Sequence, residues 1–89
     1  MDIKIQVGIN ARRARVRSGL SQDEAAFNAS LDRTYVGNLE RGKVNATIES
    51  LAGLATALGI PVRDFFNDLP DDAELPDPLK GGRKPSRKR

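Results

Sequence analysis

The 89-residue sequence predicts an all-α domain, a five-helix bundle at residues 1–67, followed by a disordered charged tail at residues 68–89. Three observations carry that prediction. Between Ser21 and Gly42 two short helical patterns follow one another, each opened by an N-cap residue and the second closed by glycine. Further on, Ile48, Leu51, Leu54, Ala55 and Leu58 recur at i, i+3, i+6, i+7 and i+10, the apolar stripe of one helix face. After Asn67 the composition turns to acids and prolines, then to arginines and lysines, with too little apolar surface to offset the entropy of ordering.

Residues 2–9 alternate apolar and polar with the period of a strand, but Val7, Ala11 and Ala14 follow at helical spacing. A helix from about residue 5 to residue 17 is therefore expected, stopped by Ser18-Gly19, with residues 1–4 extended or frayed. Arg12, Arg13, Arg15 and Arg17 surround it apart from the alanine stripe; Arg12 or Arg15 is expected to pair with Glu40, and the others to approach phosphates. Ser21 caps a second helix whose first turn carries Asp23 and Glu24 against the positive end of the dipole, with Ala25 and Ala26 facing inward. Asn28 to Leu31 breaks the period. Asp32 caps a third helix, with Val36 and Leu39 inward and Gly42 as the residue that stops it.

Residues 43–46 form a loop, Thr47 caps the fourth helix and Gly59 ends it. Pro61, tolerated in a first turn, opens a short fifth helix. There Phe65 and Phe66 either both close the core, or one stays exposed in a two-fold contact between copies; Val62, Phe65 and Phe66 are the candidate dimer interface.

Several separated motifs share one likeness. Arg12 and Arg15, then Gly19-Leu20-Ser21-Gln22, Thr34-Tyr35 and Glu40-Arg41-Gly42, continue through Asn45, Thr47-Ile48 and Leu51 to Ala57-Leu58-Gly59 and Phe65-Phe66. On these residues the sequence resembles the Xre/Cro-type repressor family. Leu31 to Tyr35, Asn45-x-Thr47-Ile48-x-Ser50-Leu51 and the aromatic Phe27 look like the controller proteins of restriction-modification systems within it. The resemblance implies the helix-turn-helix fold of phage repressors, double-stranded DNA as partner and a homodimer on a two-fold operator. It also implies transcriptional regulation that includes the chain's own promoter.

The polar face of the third helix suits that role. Arginine pairs with guanine, asparagine with adenine, and threonine packs or donates at a base edge. Arg33, Thr34, Gly37 and Asn38 are the candidate base contacts, Gly37 permitting close approach rather than readout. Gln22, Asn28, Lys43 and Asn45 are candidate phosphate contacts, which fix register without reading sequence. Tyr35 either reaches a phosphate or packs with its hydroxyl wet, and the family pattern favours the phosphate. Glu40 is an acid near a surface meant for a polyanion, read either as a salt bridge to the first helix or as a contact for RNA polymerase.

The formal charge of +3 is unevenly spread. Residues 67–79 hold five acids and no base, and residues 80–89 six bases and no acid. Arg83, Lys84, Arg87, Lys88 and Arg89 are candidates for non-specific DNA contact, the alternative being that they fold back on the acidic stretch.

Other function classes are thin. The chain has neither histidine nor cysteine, so a Ser/His/Asp or Cys/His set and the usual zinc ligands do not exist in it. No cofactor, metal or enzymatic activity is expected. No apolar run approaches the ~20 residues of a membrane span, and a cytoplasmic protein is expected. The second hypothesis is a protein-interaction module, an antitoxin or anti-activator that sequesters a partner through the C-terminal helix or tail. Leu69, Leu75 and Leu79 would fold on that partner, an activator or a toxin.

Overall fold

The computed structural model describes residues 2–70 and residue 73. Four α-helices and one 3₁₀ turn follow in order: α1 (Ile3–Ser18), α2 (Gln22–Ala29), α3 (Arg33–Glu40), α4 (Ile48–Leu58) and the turn Val62–Phe66. No strand occurs among the described residues. α1 starts two residues earlier than the apolar pattern predicts, because Asp2 is an N-cap whose side chain accepts from Lys4 N–H at 2.7 Å.

The caps of the next three helices are the expected ones. Ser21 and Glu24 form a reciprocal capping box, the Ser21 hydroxyl accepting from Glu24 N–H at 3.0 Å and the Glu24 carboxylate from Ser21 N–H at 2.9 Å. Asp32 accepts from Thr34 N–H, and Thr47 accepts from Ser50 N–H at 3.0 Å. α2 stops at Ser30, which takes a left-handed φ of 58°, the only non-glycine among the described residues to do so. That reversal supplies the corner between α2 and α3. α3 ends in a Schellman motif: Gly42 N–H bonds Leu39 O at 3.0 Å and Lys43 N–H bonds Asn38 O at 2.9 Å. Gly42 has φ 73° and lies so near α1 that a Cβ there would meet Ile5 Cγ1 at 2.9 Å.

The core gathers one stripe from each element: Val7, Ala11 and Ala14 of α1, Ala25 of α2, Leu39 of α3, Leu51, Leu54, Ala55 and Leu58 of α4, and Phe65. Small residues set the spacing. At the crossing of α1 and α3, Gly8 sits against backbone, and a Cβ on it would lie 2.5 Å from Leu39 O and 2.8 Å from Glu40 O.

Three expectations are corrected. Ile48, counted in the α4 stripe, is 84% exposed, because the first residue after the cap points away from the interior. The fifth helix is a five-residue 3₁₀ turn, not an α-helix. Asp68-Leu69-Pro70 offers no continuation, and the last carbonyls of the turn bond to α1 side chains instead. Gln6 Nε2 donates to Phe66 O and Asn67 O, both at 3.0 Å; Asn10 Nδ2 donates to Phe65 O at 2.9 Å and Asn67 O at 2.8 Å. Finally, Phe65 is fully buried in its own chain, so it offers no surface to a second copy. Val62 and Phe66 remain exposed beside it. The tail contacts expected at Arg83, Lys84, Arg87, Lys88 and Arg89, and the leucines Leu75 and Leu79, lie outside the described residues.

Candidate nucleic-acid interface

α3 is mounted from below by a buried ion pair. Arg15 of α1 donates through Nε to Glu40 Oε2 at 2.7 Å and through Nη2 to Glu40 Oε1 at 3.2 Å, while its Nη1 reaches Leu20 O at 3.0 Å. Gln22 Nε2 of α2 donates to Glu40 Oε1 at 2.9 Å. Glu40 is 5% exposed, and its two oxygens accept from three donors. One carboxylate thereby ties α1, α2 and α3 together with its charge matched. Of the two arginines expected at Glu40, Arg15 is the one that pairs, and Arg12 stays exposed. The alternative role of Glu40 as an outward contact for RNA polymerase is overturned, since almost none of it reaches the surface.

With Val36 and Leu39 locked in the interior, the opposite side of α3 is fixed in space. Arg33 and Thr34 are exposed, Asn38 is half-buried and Arg41 is exposed. Positions 33, 37 and 41 lie one above another at i, i+4 and i+8. Gly37 sits beneath this row rather than open to solvent. A Cβ on it would meet Arg33 Nη1 at 3.1 Å, Arg41 Nη1 at 3.5 Å and Gln22 Oε1 at 3.8 Å. Arg41 Nη2 also donates to Asn38 Oδ1. Across the corner, Arg33 Nε lies 3.1 Å from Asp23 Oδ1 of α2.

The phosphate candidates divide. Asn28, Lys43 and Asn45 are exposed on α2 and on the loop after α3. Gln22 is half-buried, with one amide proton committed to Glu40, which leaves the other for an outside acceptor. Tyr35 is turned inward. It packs against the core, and its hydroxyl lies 2.9 Å from Ser50 Oγ. The Ser50 hydroxyl donates its one proton to Thr47 O at 2.9 Å, so Tyr35 is the donor to Ser50. A phosphate accepts only; in this conformation the Tyr35 proton is committed to Ser50, and a phosphate contact requires the hydroxyl to turn outward.

Two polar side chains of the surface escaped the sequence assignment of the site. Arg41 enters the sequence reading only through its Glu40-Arg41-Gly42 motif, although the i, i+4, i+8 spacing from Arg33 puts it in the same row. Asp23 reads from sequence as a dipole partner of α2; that it also reaches Arg33 depends on the angle between two helices, which no local pattern contains.

The row can present donors to a polyanion and paired donors to base edges. At ~1.5 Å per residue the eight residues of α3 span roughly 12 Å, comparable to the ~12 Å width of the B-DNA major groove. No helix among the described residues is long and apolar enough to cross a membrane.

Comparison with known proteins agrees with this geometry. The helix-turn-helix family HTH_3 matches residues 12–65. Control protein C.MunI of Mycoplasma sp is 36% identical over 69 residues, covering 76% of this chain and 93% of that one. Control protein C.BamHI of Bacillus amyloliquefaciens is 31% identical over 67 residues, 74% of this chain and 83% of the relative. Among solved structures, the restriction-modification controller protein C.AhdI from Aeromonas hydrophila superposes with a TM-score of 0.69 at 43% identity, over 71% of this chain and 96% of that chain. The chain therefore belongs to the Xre-type helix-turn-helix family of DNA-binding transcription regulators.

Proposed function

We propose that the chain is a sequence-specific transcription regulator of the controller type, binding as a homodimer to a two-fold operator that includes its own promoter. The observation that carries the reading is the polar row on α3, held rigid by a buried Arg15–Glu40–Gln22 network on the opposite side. A stiff mount matters because base readout needs donors placed to within a fraction of an ångström of their acceptors. Arg33, Thr34 and Asn38 then face base edges in the major groove, with Gly37 keeping the helix axis close. Arg41 joins them, and Lys43, Asn45, Asn28 and the free proton of Gln22 face phosphates. Relatives described as control proteins support the regulatory role.

Val62 and Phe66, exposed at 37% and 44%, supply the apolar surface for the two-fold contact. The Gln6 and Asn10 carboxamides hold that turn in place against α1. Two recognition helices so joined would enter successive major grooves ~34 Å apart.

Selection of bound sequences from a randomised duplex pool tests the reading. The full chain is expected to enrich a palindromic site. Arg33→Ala is expected to lose ~1–3 kcal/mol of binding and to relax preference at one base pair of each half-site. Wild-type discrimination in the Arg33→Ala protein would show that α3 does not read bases through that arginine.

A further inference from the structure

We propose that Asp23 of α2 is a positioning residue for base readout, holding the Arg33 guanidinium so that it presents its two terminal nitrogens to guanine; this rests on the reading of Arg33 as a base contact. The contact is made through one particular atom. Asp23 Oδ1 lies 3.1 Å from Arg33 Nε, the inner nitrogen of the guanidinium. With the carboxylate paired beside Nε, Nη1 and Nη2 stay clear of it, and their parallel N–H groups form the fork that matches guanine O6 and N7. On its other side the guanidinium is seated over Gly37, where Nη1 comes within 3.1 Å of the place a Cβ would occupy. A carboxylate at one end and a bare backbone beneath favour one tilt and reach of a side chain that otherwise has many rotamers.

Charge placement favours the same assignment. Asp23 and Arg33 are both well exposed, with side-chain accessibilities of 80% and 52%, so the pair contributes little to the stability of the fold. The capping box of α2 is completed by Ser21 and Glu24 without Asp23. An exposed carboxylate beside a DNA-facing helix weakens attraction to phosphates everywhere. Its compensating effect is local: Asp23 holds Arg33 away from phosphate oxygens, to which a free arginine would go regardless of sequence.

The test compares full-length Asp23→Ala, Asp23→Asn and Arg33→Ala with the parent chain, by selection from a randomised duplex pool and by titration of a fixed non-cognate duplex. Asp23→Ala is expected to reduce guanine preference about threefold to fivefold at the base pair that Arg33→Ala relaxes, with the other positions unchanged. It is also expected to bind the non-cognate duplex more tightly. Asp23→Asn, which keeps the acceptor oxygen and loses the charge, is expected to fall between Asp23→Ala and the parent in guanine preference. Unchanged guanine preference in both Asp23 variants, alongside its loss in Arg33→Ala, overturns the positioning role and leaves the Arg33 reading intact. Unchanged preference in Arg33→Ala overturns that reading and the proposal with it. A uniform loss of preference at all positions, without tighter non-cognate binding, would mark a folding defect and also overturn the proposal.

Discussion

α3 has two glycine-lined approaches that differ in every physical respect. Toward α1, Gly8 meets the carbonyl oxygens of Leu39 and Glu40, and the neighbouring Arg15–Glu40 pair is almost out of solvent. On the outer side, Gly37 lies under the tips of Arg33 and Arg41, long chains that can swing aside. The inner contact is backbone against backbone and cannot yield without moving a helix. The outer one is adjustable. The same helix is thus clamped by backbone where it must be rigid and covered by side-chain donors where it must meet a partner.

Breaking the inner contact should have the largest effect. Gly8→Ala places a methyl group 2.5 Å from a carbonyl oxygen, forcing α1 and α3 apart, and is expected to cost 3 kcal/mol or more, roughly the upper range for overpacking. For a domain of this size that lowers Tm by roughly 12 °C or more, at ~4–8 °C per kcal/mol in thermal denaturation. Next comes Glu40→Ala, which leaves the Arg15 guanidinium with one partner, Leu20 O, in a site where it is 15% exposed. A loss of about 3 kcal/mol is expected in urea denaturation, near the low end for unpairing a buried ion because Arg15 keeps some water. If either variant melts like the parent, the mount under α3 is not what holds it.

Gly37→Ala acts on the outer side, with the smallest effect and the opposite sign. Alanine is favoured over glycine inside a helix by about 0.5–1 kcal/mol, and the atoms in its way are flexible side-chain ends. The variant should be slightly more stable, yet bind its selected operator less tightly, because Arg33 loses its seat. A variant that gained stability and kept full affinity would show the seat to be irrelevant to binding.

What the sequence reveals of all this follows from range. The caps at Ser21, Asp32 and Thr47 and the stop at Gly42 are local chemistry, written within four residues of where they act. The apolar stripes of α3 and α4 are equally local, apart from Ile48 at the exposed first position. The end of the fold is not legible locally because its stabilisation is not local: Gln6 and Asn10 hold carbonyls more than fifty residues away, so five residues suffice without a full α-helix. Phe65 and Phe66 are adjacent and chemically identical, and only the packing against α1 and α4 decides that the first is core and the second surface. The polar row on α3 was legible as a face, but Tyr35 left it through a hydrogen bond to Ser50, fifteen residues on, and Arg33 gained Asp23 across a corner.

The outer side of α3 is the surface proposed to meet DNA. Backbone amide shifts of the labelled full chain, followed by nuclear magnetic resonance while the selected duplex is titrated in, test it most directly. The largest changes are expected at residues 33–38 and 41–45 and at the start of α2, with the exposed side of α4 at Glu49, Ala52 and Thr56 nearly still. Changes concentrated on α4, with residues 33–38 unmoved, would contradict it.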